Sequence, residues 1–398
     1  MVRPPRGRAA AAKDSPAAEI AAWLAAIALF ALGAHLFATP HDWASLYLRD
    51  LRVYQAAVDA FAAGADPYQP AQAHHAYGLF FTSPPFVWLL YKLVAHSGLR
   101  PIIGPLLLAA DAASVVAIPV ILSRLLLGPG AARAALGAGF FFTAFAGSGF
   151  FTALVINNGT PLYALIALAL IPAMSRDRWL WFHLAVALAT AFKPFYAAFW
   201  IVPVLADGPW GWRWAASAAG LAAAVASYLA PALLAPRLMA EWVHTLLRQT
   251  VGEGLLGDNL LGAITKSPGA GHGRASAYAA QLGFSAALVI AALMLGRLDR
   301  PRRIAGLVMI AVFLNPRAMR YDLSTAAVPL LALAAGAFAR GPAGVLTQTV
   351  WAVILAGLMI VFSHSAPTDG FLYAGLALVA LLVAIGGSYA RPAAAASG

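Results

Sequence analysis

Along this chain, apolar runs of up to about 20 residues alternate with short breaks that are charged, Pro/Gly-rich or both. The runs fall at 20–37, 101–123, 134–154, 159–174, 179–192, 194–206, 214–235, 276–296, 304–315, 321–339, 345–362 and 370–388. They lack the period-two alternation of an outer-membrane strand, so each reads as a helix. The pattern predicts an all-α, polytopic membrane helix bundle of about 12 transmembrane helices, with the shorter runs tilted, broken or fused. A further helix over 82–97 is expected to dip into the membrane without crossing. Two long polar intervals interrupt the rhythm, 38–100 and 236–275. In the first, Tyr47, Leu51, Tyr54 and Val58 recur at spacings of three or four and predict one apolar helical stripe. Asp50 and Tyr54, four apart, then share a face.

Composition narrows the class. The chain has 398 residues, 62% hydrophobic and 10% charged, with a mean hydropathy of +0.78. Soluble domains carry about 25% charge, so this chain has too few polar groups to cover a water-facing surface. The net charge of +11 is spread through short loops as an orientation signal is, and does not point to nucleic acid. With no cysteine, thiol nucleophiles, thiolate metal sites and disulfides are excluded.

The basic residues set an expected topology. Arg3, Arg6, Arg8 and Lys13 precede an apolar run, Ile20 to Leu36, that reads as an uncleaved first helix. With the tail 1–19 cytoplasmic, the inner segments carry Arg124 and Arg133, Arg176 and Arg178, Arg213, Arg297 to Arg303, Arg340 and Arg391. Every one is basic, as orientation requires. The bundle spans 20–388, 389–398 is a second cytoplasmic tail, and both long loops face outward. The expected location is a bacterial-type inner (plasma) membrane.

Candidate chemistry lies on that outer side. Asp50 is either a locally paired loop carboxylate, beside Arg49 or Arg52, or a general base where the first helix leaves the membrane. Asp59 and Asp66 compete with it, Asp66 as turn chemistry before Pro67. Lys193-Pro194 breaks two apolar runs; the lysine either snorkels or holds a phosphate as a point charge. Arg317 and Arg320 flank one turn, followed by Tyr321 and Asp322. They either clamp a phosphate or pair with Asp322 to fasten a loop, and Asp322 is either a second site carboxylate or a helix N-terminal charge. Asn157, Asn158 and Asn259 are short outward polar signals suited to sugar hydroxyls or to turns, and His364 sits at an outer helix end. Asp111, mid-span, reads as a structural hydrogen bond within the bundle. No metal-ligand spacing and no Gly-rich nucleotide loop is present, so no cofactor is expected and the substrate is expected to be lipid-linked.

Taken together, these stretches resemble glycosyltransferase family 87. The likeness rests on Asp50-Leu51-Arg52-Val53-Tyr54, Gly64-Ala65-Asp66-Pro67-Tyr68 and Phe80-Phe81-Thr82-Ser83-Pro84-Pro85-Phe86. It continues through Asn157–Leu165, Lys193-Pro194, Asn259-Leu260-Leu261-Gly262 and Asn315-Pro316-Arg317 to Asp322. That family includes the mycobacterial phosphatidylinositol-mannoside mannosyltransferases. The resemblance implies a GT-C fold and transfer of a sugar, commonly mannose, from a polyprenyl-phosphate donor to a glycolipid or glycan acceptor outside the cytoplasm. It implies Asp50 as base and no bound metal. Ser83 stands where the family usually has an aromatic residue, and Asn157-Asn158-Gly159 where it often has a Gly-Gln pair; both bear on sugar or acceptor choice. Tyr54 and Tyr68 join the substrate-binding candidates. A transporter or flippase of a lipid-linked sugar or related anion is the alternative, using the same cationic cavity without a base.

Overall fold

The computed structural model describes residues 14–38, 48–66, 68, 83–155, 159–206, 211–248, 257, 260–266, 274–337, 343–362 and 366–389. Among them there is no strand. The helices are α1 (Pro16–Ala38), α2 (Arg49–Ala62), α3 (Pro85–Ala95), α4 (Ile103–Leu126), α5 (Ala131–Val155), α6 (Gly159–Arg176) and α7 (Leu180–Phe192). After a 3₁₀ turn (Pro194–Trp200) come α8 (Ile201–Ala206), α9 (Gly211–Leu234), α10 (Pro236–Leu247), α11 (Leu260–Lys266) and α12 (Arg274–Met294). A second 3₁₀ turn (Leu295–Arg297) precedes α13 (Arg300–Phe313), α14 (Arg320–Ala337), α15 (Val345–Phe362) and α16 (Ala366–Tyr389). Each predicted apolar run carries a helix. Seven of them are long and apolar enough on their own to cross a bilayer, so the chain is an all-α, multi-pass membrane bundle.

Burial grades the helices as a bilayer would. In α13 every residue from Ile304 to Phe313 is buried, and α14 is buried along nearly its whole length, packed against α5, α13 and α16. Helices apolar all round and buried all round form a core. At the other extreme, α9 buries only Arg213, Ser217 and Ala224 and leaves Trp212, Leu221, Val225, Leu229, Leu233 and Leu234 exposed. In water such a surface would aggregate; against lipid it costs nothing.

The pairing of α1 with α5 sets the shape of the site end. A Cβ on Gly33 would lie 2.6 Å from the Phe142 carbonyl oxygen, and one on Gly139 would lie 2.6 Å from that of Ala26. Small residues let the two backbones touch where no hydrophobic effect drives helices together. Opposite Gly33, α5 breaks: Phe145, Ala146 and Gly147 are left-handed, with φ of 54°, 55° and 75°. Such residues cost roughly 1–2 kcal/mol each when not glycine. The Phe145 N–H meets the Met359 sulfur at 3.3 Å, and the break redirects the end of α5 towards α14, where the Thr152 and Ser324 hydroxyls lie 3.4 Å apart. Gly33→Val is expected to destabilise the protein by about 1–3 kcal/mol, read as a lower midpoint in detergent melting, because the nearest atoms it meets, in Phe142 and Thr143, all belong to backbone.

At one end of the bundle the basic residues do structural work. Arg300 donates to the Ala173 and Met174 carbonyls and to Asp177, and Arg303 donates to the carbonyls of Ala206, Gly296 and Leu298. Each ties off helix-end carbonyls that would otherwise lack a partner. Arg133 pairs with Asp14 at 2.6 Å. At the opposite end a small cap forms. Leu51, Val53, Ala57, Val58 and Phe61 give α2 its buried face; Val53, Ala57, Val58 and Phe61 cluster with Tyr68, Val87, Tyr91 and Trp242. The predicted stripe holds at Leu51, Tyr54 and Val58, while Tyr47 lies outside the described residues. The third helix, α3, has 11 residues and is about 16 Å long, too short to cross. It buries Val87 and Tyr91 and exposes Leu89, Leu90 and Leu93.

Candidate functional site

Three distant segments meet between the cap and the bundle. The first is the start of α2. Leu48 is left-handed (φ 56°), and its N–H donates to the Leu154 carbonyl at 3.0 Å, which fixes where α2 leaves the end of α5. Asp50 follows in the first helical turn. Its side chain is 16% exposed and lies 3.8 Å from the Arg49 Nε. The second segment is Lys193. It ends α7 in extended backbone (φ −145°, ψ 116°), with Pro194 opening the 3₁₀ turn. Proline favours extended backbone before it and so ends α7 here, leaving the lysine between two helices. Its Nζ stands 5.4 Å above the Tyr321 ring and 6.0 Å from that of Phe195, within cation–π range.

The third segment is Asn315–Asp322, which joins the two buried core helices. The Asn315 Oδ1 accepts the Arg317 N–H at 2.9 Å, and the Asp322 Oδ2 accepts the Met319 N–H at 2.9 Å. A short turn is thereby closed from both sides, and Asp322 caps the start of α14. Tyr321 is held between Lys193 and the Phe151 ring, on which it stacks at 6.3 Å with an interplanar angle of 12°.

Electrostatics ties the three together. Burial pushes the Asp50 carboxyl above its ordinary range, and Arg49 and then Lys193 pull it partly back. Burial pulls the Lys193 ammonium down, Asp322 and then Asp50 raise it, and Arg317 lowers it. The lysine thus faces two carboxylates and one guanidinium, with Asp322 its stronger partner. No ion pair closer than 4.0 Å joins Lys193 to either carboxylate. The arrangement is a mixed-charge site in which a carboxyl of raised proton affinity, a second carboxylate and a guanidinium all act on one ammonium.

Of the sequence-derived residues, Asp50, Lys193, Arg317, Tyr321 and Asp322 converge here. Asp59 does not: it is exposed and pairs with Arg100 at 2.5 Å. Asp66 makes the expected turn, accepting the Tyr68 N–H at 2.9 Å, and it meets Glu241 of α10, whose carboxyl it pushes above the ordinary range. The Tyr68 hydroxyl donates to the Ser83 carbonyl at 2.7 Å, closing the loop that delivers Ser83-Pro84-Pro85 to α3. Tyr54 lies in the cap, its ring 5.9 Å from that of Tyr91. Asn157, Asn158, Asn259 and His364 lie outside the described residues, as does the side chain of Arg320, whose backbone opens α14.

Sequence reasoning did not single out four contributors. Tyr163 and Tyr196 stack edge to face at 4.8 Å, the Tyr196 hydroxyl donates to the Gly159 carbonyl at 2.9 Å, and Tyr163 interacts with Asp322. Tyr196 stands one 3₁₀ turn after Lys193, a spacing that carries the signal. Phe151 supplies the stacking face. Gly257, with φ +88°, sits on the Arg317–Ala318 backbone: a Cβ there would lie 2.7 Å from the Ala318 oxygen. Among the described residues no group of three His, Asp or Glu side chains is placed to hold a metal. No family model, curated protein or solved structure matches this chain.

Proposed function

We propose that this protein is a membrane glycosyltransferase of the GT-C type, related to glycosyltransferase family 87. It would move a sugar, mannose in the simplest case, from a polyprenyl-phosphate donor to a glycolipid or glycan acceptor on the extracytoplasmic face. The observation that carries the reading is the meeting of Asp50 with Lys193 and the Arg317–Asp322 turn. These are the residue types that the reaction needs at one point. Asp50 takes the proton of an acceptor hydroxyl, the hydroxyl oxygen attacks the anomeric carbon from the face opposite the phosphate, and the sugar–phosphate bond breaks with inversion. Lys193, Arg317 and Arg320 neutralise the charge that gathers on the leaving phosphate. A desolvated carboxylate holds a proton more tightly than one in water, and a base is most effective when its pKa lies nearer the working pH.

Phe86 and Phe192 meet at 6.4 Å beside Lys193, and α3 with its exposed Leu89, Leu90 and Leu93 offers a lipid-facing wall. Both suit a donor whose tail stays in the membrane while its phosphate reaches the lysine. The test is incubation of purified protein with labelled polyprenyl-phosphate mannose and membrane lipid extract. Release of polyprenyl phosphate, with a product of opposite anomeric configuration, is expected; movement of intact donor across vesicles without release would instead favour a flippase.

Gly257→Ala bears on the same reading. The added methyl displaces the Arg317 turn by tenths of an ångström or more, and sub-ångström to 1 Å misplacements cost up to about 10²-fold in rate. Transfer is expected to fall about ten- to a hundredfold while the fold, read by detergent melting, persists.

A further inference from the structure

At the arginine-rich end, the starts of α7 and α9 form a second charged cluster that plays no part in the proposed chemistry. The Asp177 Oδ1 accepts from Arg213 Nη2 at 3.0 Å, from Arg300 Nη2 at 3.0 Å and from Trp179 Nε1 at 2.8 Å. One carboxylate therefore holds two guanidiniums among the described residues. Arg176 and Arg178, on either side of Asp177, are exposed and form no ion pair among the described residues. Arg213 is 3% exposed, with its Nε and Nη1 unpartnered, and lies 5.4 Å from the Trp179 ring. One turn into α7, both ring nitrogens of buried His183 are unpartnered as well. The first turn of α7 has no side-chain cap, so its N–H groups add to the positive field. Around this cluster Trp181, Trp212 and Trp214 are 60%, 51% and 47% exposed, which is the side-chain type that settles at the membrane–water boundary.

We propose that this cluster is a binding site for the headgroup phosphate of an anionic phospholipid. Orientation of the chain requires basic residues in the loop; it does not require one of them buried with free N–H groups, locked by an aspartate and ringed by indoles. Among the described residues Arg176, Arg178 and Arg213 gather round one aspartate, an excess of positive charge that suits an anion, and the anion available at that depth is a lipid phosphate. Arg176 and Arg178 reach it from the rim and the α7 N–H groups donate from below. Arg213 supplies a fixed charge, and the indoles pack on the glycerol and upper chains. A zwitterionic lipid brings its own cation and gains less, so the site selects net negative charge. The site is at the opposite end of α7 from Lys193, and the inference stands or falls apart from the transferase reading.

The test is thermal unfolding of the purified full-length protein in neutral detergent, titrated with phosphatidylglycerol, phosphatidylcholine or inorganic phosphate. A ligand that binds only the folded protein raises the midpoint with its concentration. Phosphatidylglycerol is expected to raise it and phosphatidylcholine is not. Arg176→Gln/Arg178→Gln, a pair of exposed changes, is expected to need roughly tenfold more phosphatidylglycerol for the same rise. Lys193→Gln, which disables the other anion-attracting site, and the charge-matched Arg124→Gln/Arg340→Gln are expected to keep the wild-type response. An equal response to both lipids, an unchanged response in Arg176→Gln/Arg178→Gln, or the same rise with inorganic phosphate alone overturns the proposal.

Discussion

Asp50→Asn is expected to lower sugar transfer by about 10²–10⁴-fold without weakening the fold. The asparagine keeps the size of the carboxyl and cannot take the acceptor proton. The stability half follows from burial. The Asp50 carboxyl titrates above its ordinary range because burial penalises the charged form more than Arg49 and Lys193 favour it. For a carboxyl whose folded pKa is raised, the folded state holds the proton more tightly than the unfolded state does. Stability therefore declines as pH rises through that pKa, and above it the ionised group is a net cost. A neutral side chain removes the cost, so Asp50→Asn should melt at the same temperature as wild type or higher at pH 7.5, with the difference shrinking in acid. Activity behaves oppositely: the base must be ionised, so wild-type transfer should fall as pH drops through a value above the usual carboxylate range. The residual activity of Asp50→Asn should lack that limb. Loss of transfer together with a large drop in melting temperature would mark Asp50 as a structural residue instead.

Lys193→Gln should be comparably damaging to rate, and for a different reason. Removing one preorganised group that stabilises a developing charge costs about 10²–10³-fold. Here the fold should suffer as well. Asp322 and Asp50 both lean on this ammonium, and without it each of the two carboxylates loses a cation. Breaking a fully buried pair costs about 3–5 kcal/mol. These groups are separated rather than in contact, so a loss of about 2 kcal/mol is expected at pH 8. The sign with pH is fixed: with the cation gone, the Asp50 carboxyl is pushed further up, the folded state gains protons relative to the unfolded one, and the deficit should shrink as pH falls. Lys193→Arg should recover the stability and little of the rate, since a planar guanidinium cannot replace a compact ammonium beside the Tyr321 ring. A Lys193→Gln protein with wild-type transfer would remove the lysine from the site.

What the sequence made legible was polarity out of place. Asp50 at the head of an amphipathic stripe, a lysine before a proline between apolar runs, and the Arg317–Asp322 cluster between two core helices all stand out against a lipid-soluble background. The structure gathers all three. The helices were legible for the same reason, since long apolar runs leave no other way to satisfy the backbone in lipid. Side chains whose role depends on what lies opposite were not legible. Tyr163, Tyr196 and Phe151 sit in apolar runs where an aromatic residue reads as core, and their part in the site comes from facing Asp322 and Tyr321. Tyr68 gives the reverse lesson: a tyrosine in a polar loop reads as free to meet substrate, but its hydroxyl is bonded to the Ser83 carbonyl. The break in α5 at Ala144–Gly147 has no proline or charge to announce it, and depends on α1 and Met359 packing against it.

In the proposed reaction, a lipid-phosphate sugar transfer, Asp50 acts as the base. The most direct measurement is movement of radiolabel from polyprenyl-phosphate mannose into membrane lipid by purified wild-type and Asp50→Asn proteins, both saturated with donor at pH 7.5. The predicted result is transfer by wild type, a loss of about 10²-fold or more in the variant, and equal donor binding by both. Equal transfer by the two proteins would contradict the role of Asp50. Absence of transfer by a wild-type protein that binds the donor would contradict the choice of mannose or of the acceptor, or the transferase reading itself.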